Sequence, residues 1–167
     1  MLFRSNLSDA EAAIRTASYF VDRNDPGKAR EALESVLTSD RLSRDERMRI
    51  LYLLGRLERL TDDGESAVYF RMAANYGSGN ERQRQMALAA FSLYRDGLSE
   101  QASQLTAHID ATAIDDAGMK LFLDVVAADV REDADALARL RAREKDLRKQ
   151  RNSFLAERAL MILERKR

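Results

Sequence analysis

Between Ser43 and Tyr76 the apolar positions fall on the helical period. Ile50, Leu51, Leu54 and Leu57 recur three and four residues apart, and Leu53 and Leu60 widen the stripe. That spacing makes one face of a helix, whereas a strand would alternate. Ser43 with Glu46 fits a capping box and opens this helix. Thr61-Asp62-Asp63-Gly64 breaks the pattern, and Asp62 or Asp63 can cap a second helix. Its inward face is Ala67, Phe70, Ala73 and Ala74, and Gly77-Ser78-Gly79 ends it. Gly55 stands in the middle of the first helix, where glycine costs about 1 kcal/mol relative to alanine. Its presence there predicts a close approach of the two helices.

The same grammar recurs on both sides. Ser8 with Glu11 opens a helix to about Arg23, with Ile14, Ala17 and Val21 inward. At Asn24-Asp25-Pro26-Gly27, Asp25 can cap and Pro26 suits the first turn of the next helix. That helix runs to about Ser39 and buries Ala29, Ala32, Leu33, Val36 and Leu37. Asn80 caps a helix to about Asp96 with Met86, Ala89, Ala90 and Leu93 inward. Gly97 breaks it, and Ser99 to Ile109 follows with Ala102 and Leu105 inward. Asp115 or Asp116 begins a helix to about Arg131, carrying Met119, Phe122, Val125 and Val126. Asp133 begins another with Ala136, Leu137, Leu140 and Leu147, and the last spans about Asn152 to Glu164. Ala32, Ala67 and Ala102 are 35 residues apart twice over, with caps and breaks in step. A helix pair repeated at this period predicts stacked helix pairs. The expectation is an all-α chain of about nine helices in antiparallel pairs, forming one domain over 1–167. Its repeats are placed at 8–40, 43–77 and 80–110, with divergent helices over 113–166.

Leu54-Gly55 in a first helix, and Ala67 twelve positions after the glycine in a second, resemble the tetratricopeptide repeat. The segment GKAREALESVL resembles the second helix of such a repeat. The resemblance covers about residues 8–110. Glu58 stands where the family usually has an aromatic residue, and the family's closing proline is missing. The resemblance implies a right-handed α-solenoid whose first helices line a concave surface that holds peptides. Arg49, Tyr52, Arg56 and Arg59 share one helix face, beside the apolar one. On the resemblance that face lines the groove, joined by Arg84, Phe91, Tyr94 and Arg95 from the next pair. Such a groove is basic and aromatic and fits an acidic or carboxylate-bearing peptide with an aromatic or aliphatic anchor. The family's lysine–asparagine clamp for a terminal carboxylate has no counterpart here. The same positions also fit an ordinary solvated face.

Composition narrows the chemistry. The 167 residues include no cysteine and one histidine, His108, so thiol catalysis, disulfides and a Cys/His zinc site are excluded. No glycine-rich phosphate loop appears, and Gly77-Ser78-Gly79 has no lysine after it. Asp133-Ala134-Asp135 reads as helix capping and dipole complement rather than a metal site. No catalytic constellation, metal site or cofactor is expected. No apolar run reaches the ~20 residues of a membrane span. The start MLFRSNLSDA lacks a signal-peptide pattern. This favours a cytoplasmic location, with a periplasmic one open if the chain is excised from a longer protein. Lys+Arg and Asp+Glu are 28 each. The balance is uneven: Arg139 to Arg167 holds eleven basic and four acidic residues. That tail reads as a solvated face or as a site for an acidic partner, a membrane surface or nucleic acid. Phe154 and Met161 lie on a second side of the last helix, beside its inward face of Leu155, Ala156, Ala159, Leu160, Ile162 and Leu163. They predict self-association or a continuing chain. The leading functional expectation is therefore a non-enzymatic protein-protein interaction scaffold that binds a peptide or protein segment. The alternative is an assembly or oligomerisation module, within a larger secretion or envelope-associated protein for instance. A nucleic-acid-binding helical protein ranks below both, because the tail has no aromatic residue besides Phe154.

Overall fold

The computed structural model describes residues 8–61, 64–143, 159 and 161–164. Among the described residues the regular structure is all helical, with no strand. The α-helices are α1 (Asp9–Asp22), α2 (Pro26–Leu37), α3 (Arg44–Thr61), α4 (Ser66–Tyr76), α5 (Gly79–Arg95), α6 (Ser99–Thr106), α7 (Ala117–Val130) and α8 (Ala134–Ala142). A short 3-10 helix, Ala111–Ala113, precedes α7, and residues 159 and 161–164 are also helical.

The caps explain most of the boundaries. At α1, Ser8 Oγ accepts from the Glu11 amide at 3.2 Å while the Glu11 carboxylate accepts from the Ser8 amide at 3.3 Å. Ser43 and Glu46 make the same reciprocal pair at α3, at 3.2 and 2.9 Å. Asp25, Asp116 and Asp133 each accept from the amide three residues on, and Pro26 occupies the first turn of α2. These bonds satisfy amides that a helix start leaves without partners.

Two boundaries depart from the sequence reading. α5 starts at Gly79 after Ser78, and Asn80 donates its side-chain amide to Asp115 at 2.8 Å instead of capping. α6 stops at Thr106, because Asp110 accepts from the Thr112 amide at 2.9 Å and starts the 3-10 turn. Asp62, Asp63 and Leu147 lie outside the described residues.

The chain gathers into two compact units, residues 1–77 and 78–167, with the division inside the Gly77-Ser78-Gly79 break. In the first unit α1 packs on α2, α2 on α3, α3 on α4, and α1 also meets α3. Its core joins Ala10, Ala17, Ala29, Leu33, Ile50, Leu54 and Leu57. Phe70, on α4, is fully buried. A Cβ at Gly55 would stand 2.8 Å from its ring, so the glycine is what lets α4 lie this close to α3. Val21 and Leu60 are corrections: both are exposed, Leu60 by 72%, because the helices leave an opening beside them.

In the second unit α5 packs on α6, α6 on α7, α7 on α8, and α5 meets α7. Phe122 is fully buried at its centre, with Phe91 packed edge-on at 5.5 Å. Here the turn after α5 recurs after α7. After α5, the amides of Asp96, Gly97 and Leu98 bond the carbonyls of Ser92, Tyr94 and Leu93. After α7, those of Arg131, Glu132 and Asp133 bond Ala127, Asp129 and Ala128. Every member is shifted by 35. Gly97 and Glu132 both take positive φ, +80° and +53°, a conformation that costs a side chain about 1–2 kcal/mol and glycine nothing comparable. Side chains follow the same register: Tyr69 bonds Glu34, Asn80 bonds Asp115 and Tyr94 bonds Asp129.

Candidate functional site

A cleft of about 210 Å³ opens in the first unit between α1 and α3, over α2. Buried Ala17, Ala29, Leu33 and Leu57 form its floor, and half-buried Ile14 and Leu53 its sides. Val21 and Leu60 stand exposed on the rim. The polar lining is Ser18, Asp22 and Arg56. A dry apolar cavity of about 150 Å³ holds a benzene ring, so this cleft accommodates one bulky apolar side chain.

The wall contributed by α3 is Leu53, Arg56 and Leu60, and exposed Arg49 continues their series along the helix. These residues follow one another by four, three and four positions and so share a face. The face expected from the sequence was Arg49, Tyr52, Arg56 and Arg59. Of these, Arg56 lines the cleft and Arg49 continues its line along the helix, exposed. Tyr52 is turned away and half-buried, its ring 6.1 Å from that of Phe70. Arg59 is half-buried as well. The Arg56 guanidinium lies 5.8 Å from the Tyr52 ring centroid, within cation–π range.

Two acids near this face are committed elsewhere, whereas Asp45, four residues before Arg49, is exposed and Asp22 lines the cleft with Arg56. Glu58 is fully buried and forms an ion pair with Arg30 of α2. Glu46 sits in the capping box, where the Ser43 amide and the Ser8 and Ser43 hydroxyls hold its carboxyl below the usual range. Among the described residues neither Arg49 nor Arg56 forms an ion pair.

The candidate residues of the second unit are differently placed. Phe91 is a correction: it is buried in the core against Phe122 and offers no surface to a ligand. Tyr94 is half-buried, its ring against Phe122 and its hydroxyl donating to Asp129 at 2.5 Å. Arg84 is exposed and pairs with Glu81 at 3.5 Å, and Arg95 pairs with Asp96 at 2.9 Å. Met161 is 41% exposed beside buried Ala159, Ile162 and Leu163, while Phe154 lies outside the described residues.

His108 is exposed, with Nδ1 2.8 Å from the Gln104 carbonyl. Among the described residues no group of three or more His, Cys, Asp or Glu side chains is placed to hold a metal ion. No helix among them is long and apolar enough to cross a membrane.

The sequence reading missed the apolar members of the cleft. Ile14, Val21, Leu53 and Leu60 carry the ordinary helical signal of a core face, and only the packing leaves them around an opening. The alternation of arginine and leucine at positions 49, 53, 56 and 60 was the available clue. Compared with protein-family models, curated proteins and solved structures, the chain finds no match.

Proposed function

We propose that this protein is a non-enzymatic binding scaffold that holds a segment of a partner protein in the α1–α3 cleft of its first unit. The observation that supports this reading is the open apolar cleft itself, rimmed by exposed Val21 and Leu60 and flanked by Arg56. Apolar side chains around a concave opening with few polar groups are the usual make-up of a binding site. On this reading the helix pairs are tetratricopeptide-like repeats. The 35-residue period in turns and side-chain bonds, and the Gly55–Phe70 approach, support that likeness. The first helix of each pair then presents the ligand surface.

Panning a random dodecapeptide display library against the whole chain tests the proposal, with enriched peptides titrated by fluorescence anisotropy. Enriched peptides are expected to bind at least about tenfold more weakly to Leu60→Asp, a loss of ~1.4 kcal/mol. Leu60 is 72% exposed, so its replacement should move fold stability by no more than about 0.5 kcal/mol. A library that yields no binder, or binders indifferent to Leu60→Asp, would refute the cleft as the site.

A further inference from the structure

We infer that the segment held in this cleft is acidic: one bulky apolar side chain enters the opening, a carboxylate beside it pairs with Arg56, and a second carboxylate reaches Arg49. The inference rests on the binding reading above and adds the chemistry of the ligand.

Three observations carry it. The first is that neither Arg49 nor Arg56 forms an ion pair among the described residues, although Asp45 stands four residues before Arg49 on α3. Glu58 is neutralised by Arg30 inside the unit and Glu46 is held in a helix cap. The second is the posture of Arg56. Its guanidinium lies 5.8 Å from the Tyr52 ring centroid and makes no hydrogen bond or ion pair among the described residues, so its N–H groups are open to an acceptor. A carboxylate matches them with two parallel hydrogen bonds. The third is the placement of Asp22 in the lining contributed by α1. It repels a carboxylate, so acidic groups are favoured on the α3 side and disfavoured on the other.

The spacing adds a register. Arg49 and Arg56 are seven residues apart on α3, about 10 Å along the axis at 1.5 Å per residue. An extended peptide covers that in roughly three residues. The fitting segment therefore has a large apolar residue, an acid next to it, and a second acid about three positions further on. A nucleic acid fits less well. Its bases need open aromatic faces, and Tyr52 is half-buried with Arg56 over its ring.

The probe is a fluorescein-labelled decapeptide in a glycine–serine background, with phenylalanine, aspartate beside it and a second aspartate three positions on. Matched peptides carry asparagine or lysine for both aspartates, or alanine for phenylalanine. With the whole chain at low salt, the aspartate peptide should bind about tenfold more tightly than the asparagine peptide. Arg56→Glu should abolish that preference and turn it toward the lysine peptide, and Arg49→Gln should reduce it. Raising the salt should shrink the preference, because exposed charges are screened. Both arginines are exposed, and an unchanged melting curve for each variant checks that the fold is intact. If aspartate and asparagine peptides bind alike while Leu60→Asp still removes binding, the cleft is a binding site but the acidic ligand is wrong. If no peptide shows a Leu60-dependent affinity, the binding reading falls as well. Sedimentation of the chain as a dimer that Leu60→Asp dissociates would identify a second copy as the occupant and overturn the inference.

Discussion

At the scale of single residues, the strongest electrostatic signature lies on Tyr69. Its hydroxyl donates to Glu34 at 3.1 Å, and Glu58 and Glu65 add negative potential around it. Burial first, and then the Glu34 hydrogen bond and charge, push its pKa from 10.0 to about 12. The folded protein thus keeps a proton that the unfolded chain releases near pH 10. By linkage this contribution to stability is whole below pH 10 and is lost as pH rises toward 12. Alkaline unfolding should therefore steepen in that window. Tyr69→Phe, which has no proton to lose, should flatten it when denaturation is followed by circular dichroism against pH. A wild-type protein whose stability is level from pH 10 to 12 would contradict the assignment. The Glu58–Arg30 pair belongs to the same scale. A buried acid without a cation would be expensive, and α2 supplies that cation to α3.

At the scale of helices, α3 is shaped by two opposite demands. One side is packed so tightly that it needs Gly55, and another faces the open cleft with alternating arginine and leucine. Gly55→Ala should bring a methyl group within 2.8 Å of the buried Phe70 ring. Nothing at that contact is a flexible chain end, so the two helices must separate. A loss of about 1–3 kcal/mol is expected, although alanine is the better helix former. Urea denaturation measures it, and a stabilised variant would show that the contact relaxes freely. The period of 35 is also an element-scale property. The turns after α5 and α7 share one hydrogen-bond pattern shifted by 35 residues.

At the scale of the whole molecule, two cores divide the apolar residues: Ile50 and Leu54 centre one, Phe122 and Val125 the other. Phe122→Ala should cost about 3–5 kcal/mol, the range for removing a buried aromatic ring. Because Phe122 is confined to the second unit, amides of 78–143 should lose hydrogen-exchange protection ahead of those of 8–61. Equal loss across both would show that the units open together. Most of the basic tail that begins at Arg139 lies outside the described residues.

The sequence by itself determined the helices, because capping side chains and the helical period act within a few residues of each other. Ser8, Ser43, Asp25, Asp116 and Asp133 all cap where their spacing placed them. It also determined the inward faces of α4 and α7, and the need for glycine at position 55. Tertiary structure alone decided which apolar residues are covered. Phe91 was placed on the groove face and Leu60 on the apolar stripe, yet Phe91 is in the core and Leu60 is 72% exposed. Periodicity describes a helix and its own faces, whereas exposure depends on what neighbouring helices leave open. The same holds for charge. Glu46, Arg49, Arg56 and Glu58 are near one another on α3, but only packing and capping decide that Glu58 pairs with Arg30 and Glu46 with the cap. That allocation leaves Arg49 and Arg56 without an ion-pair partner among the described residues, beside an apolar opening.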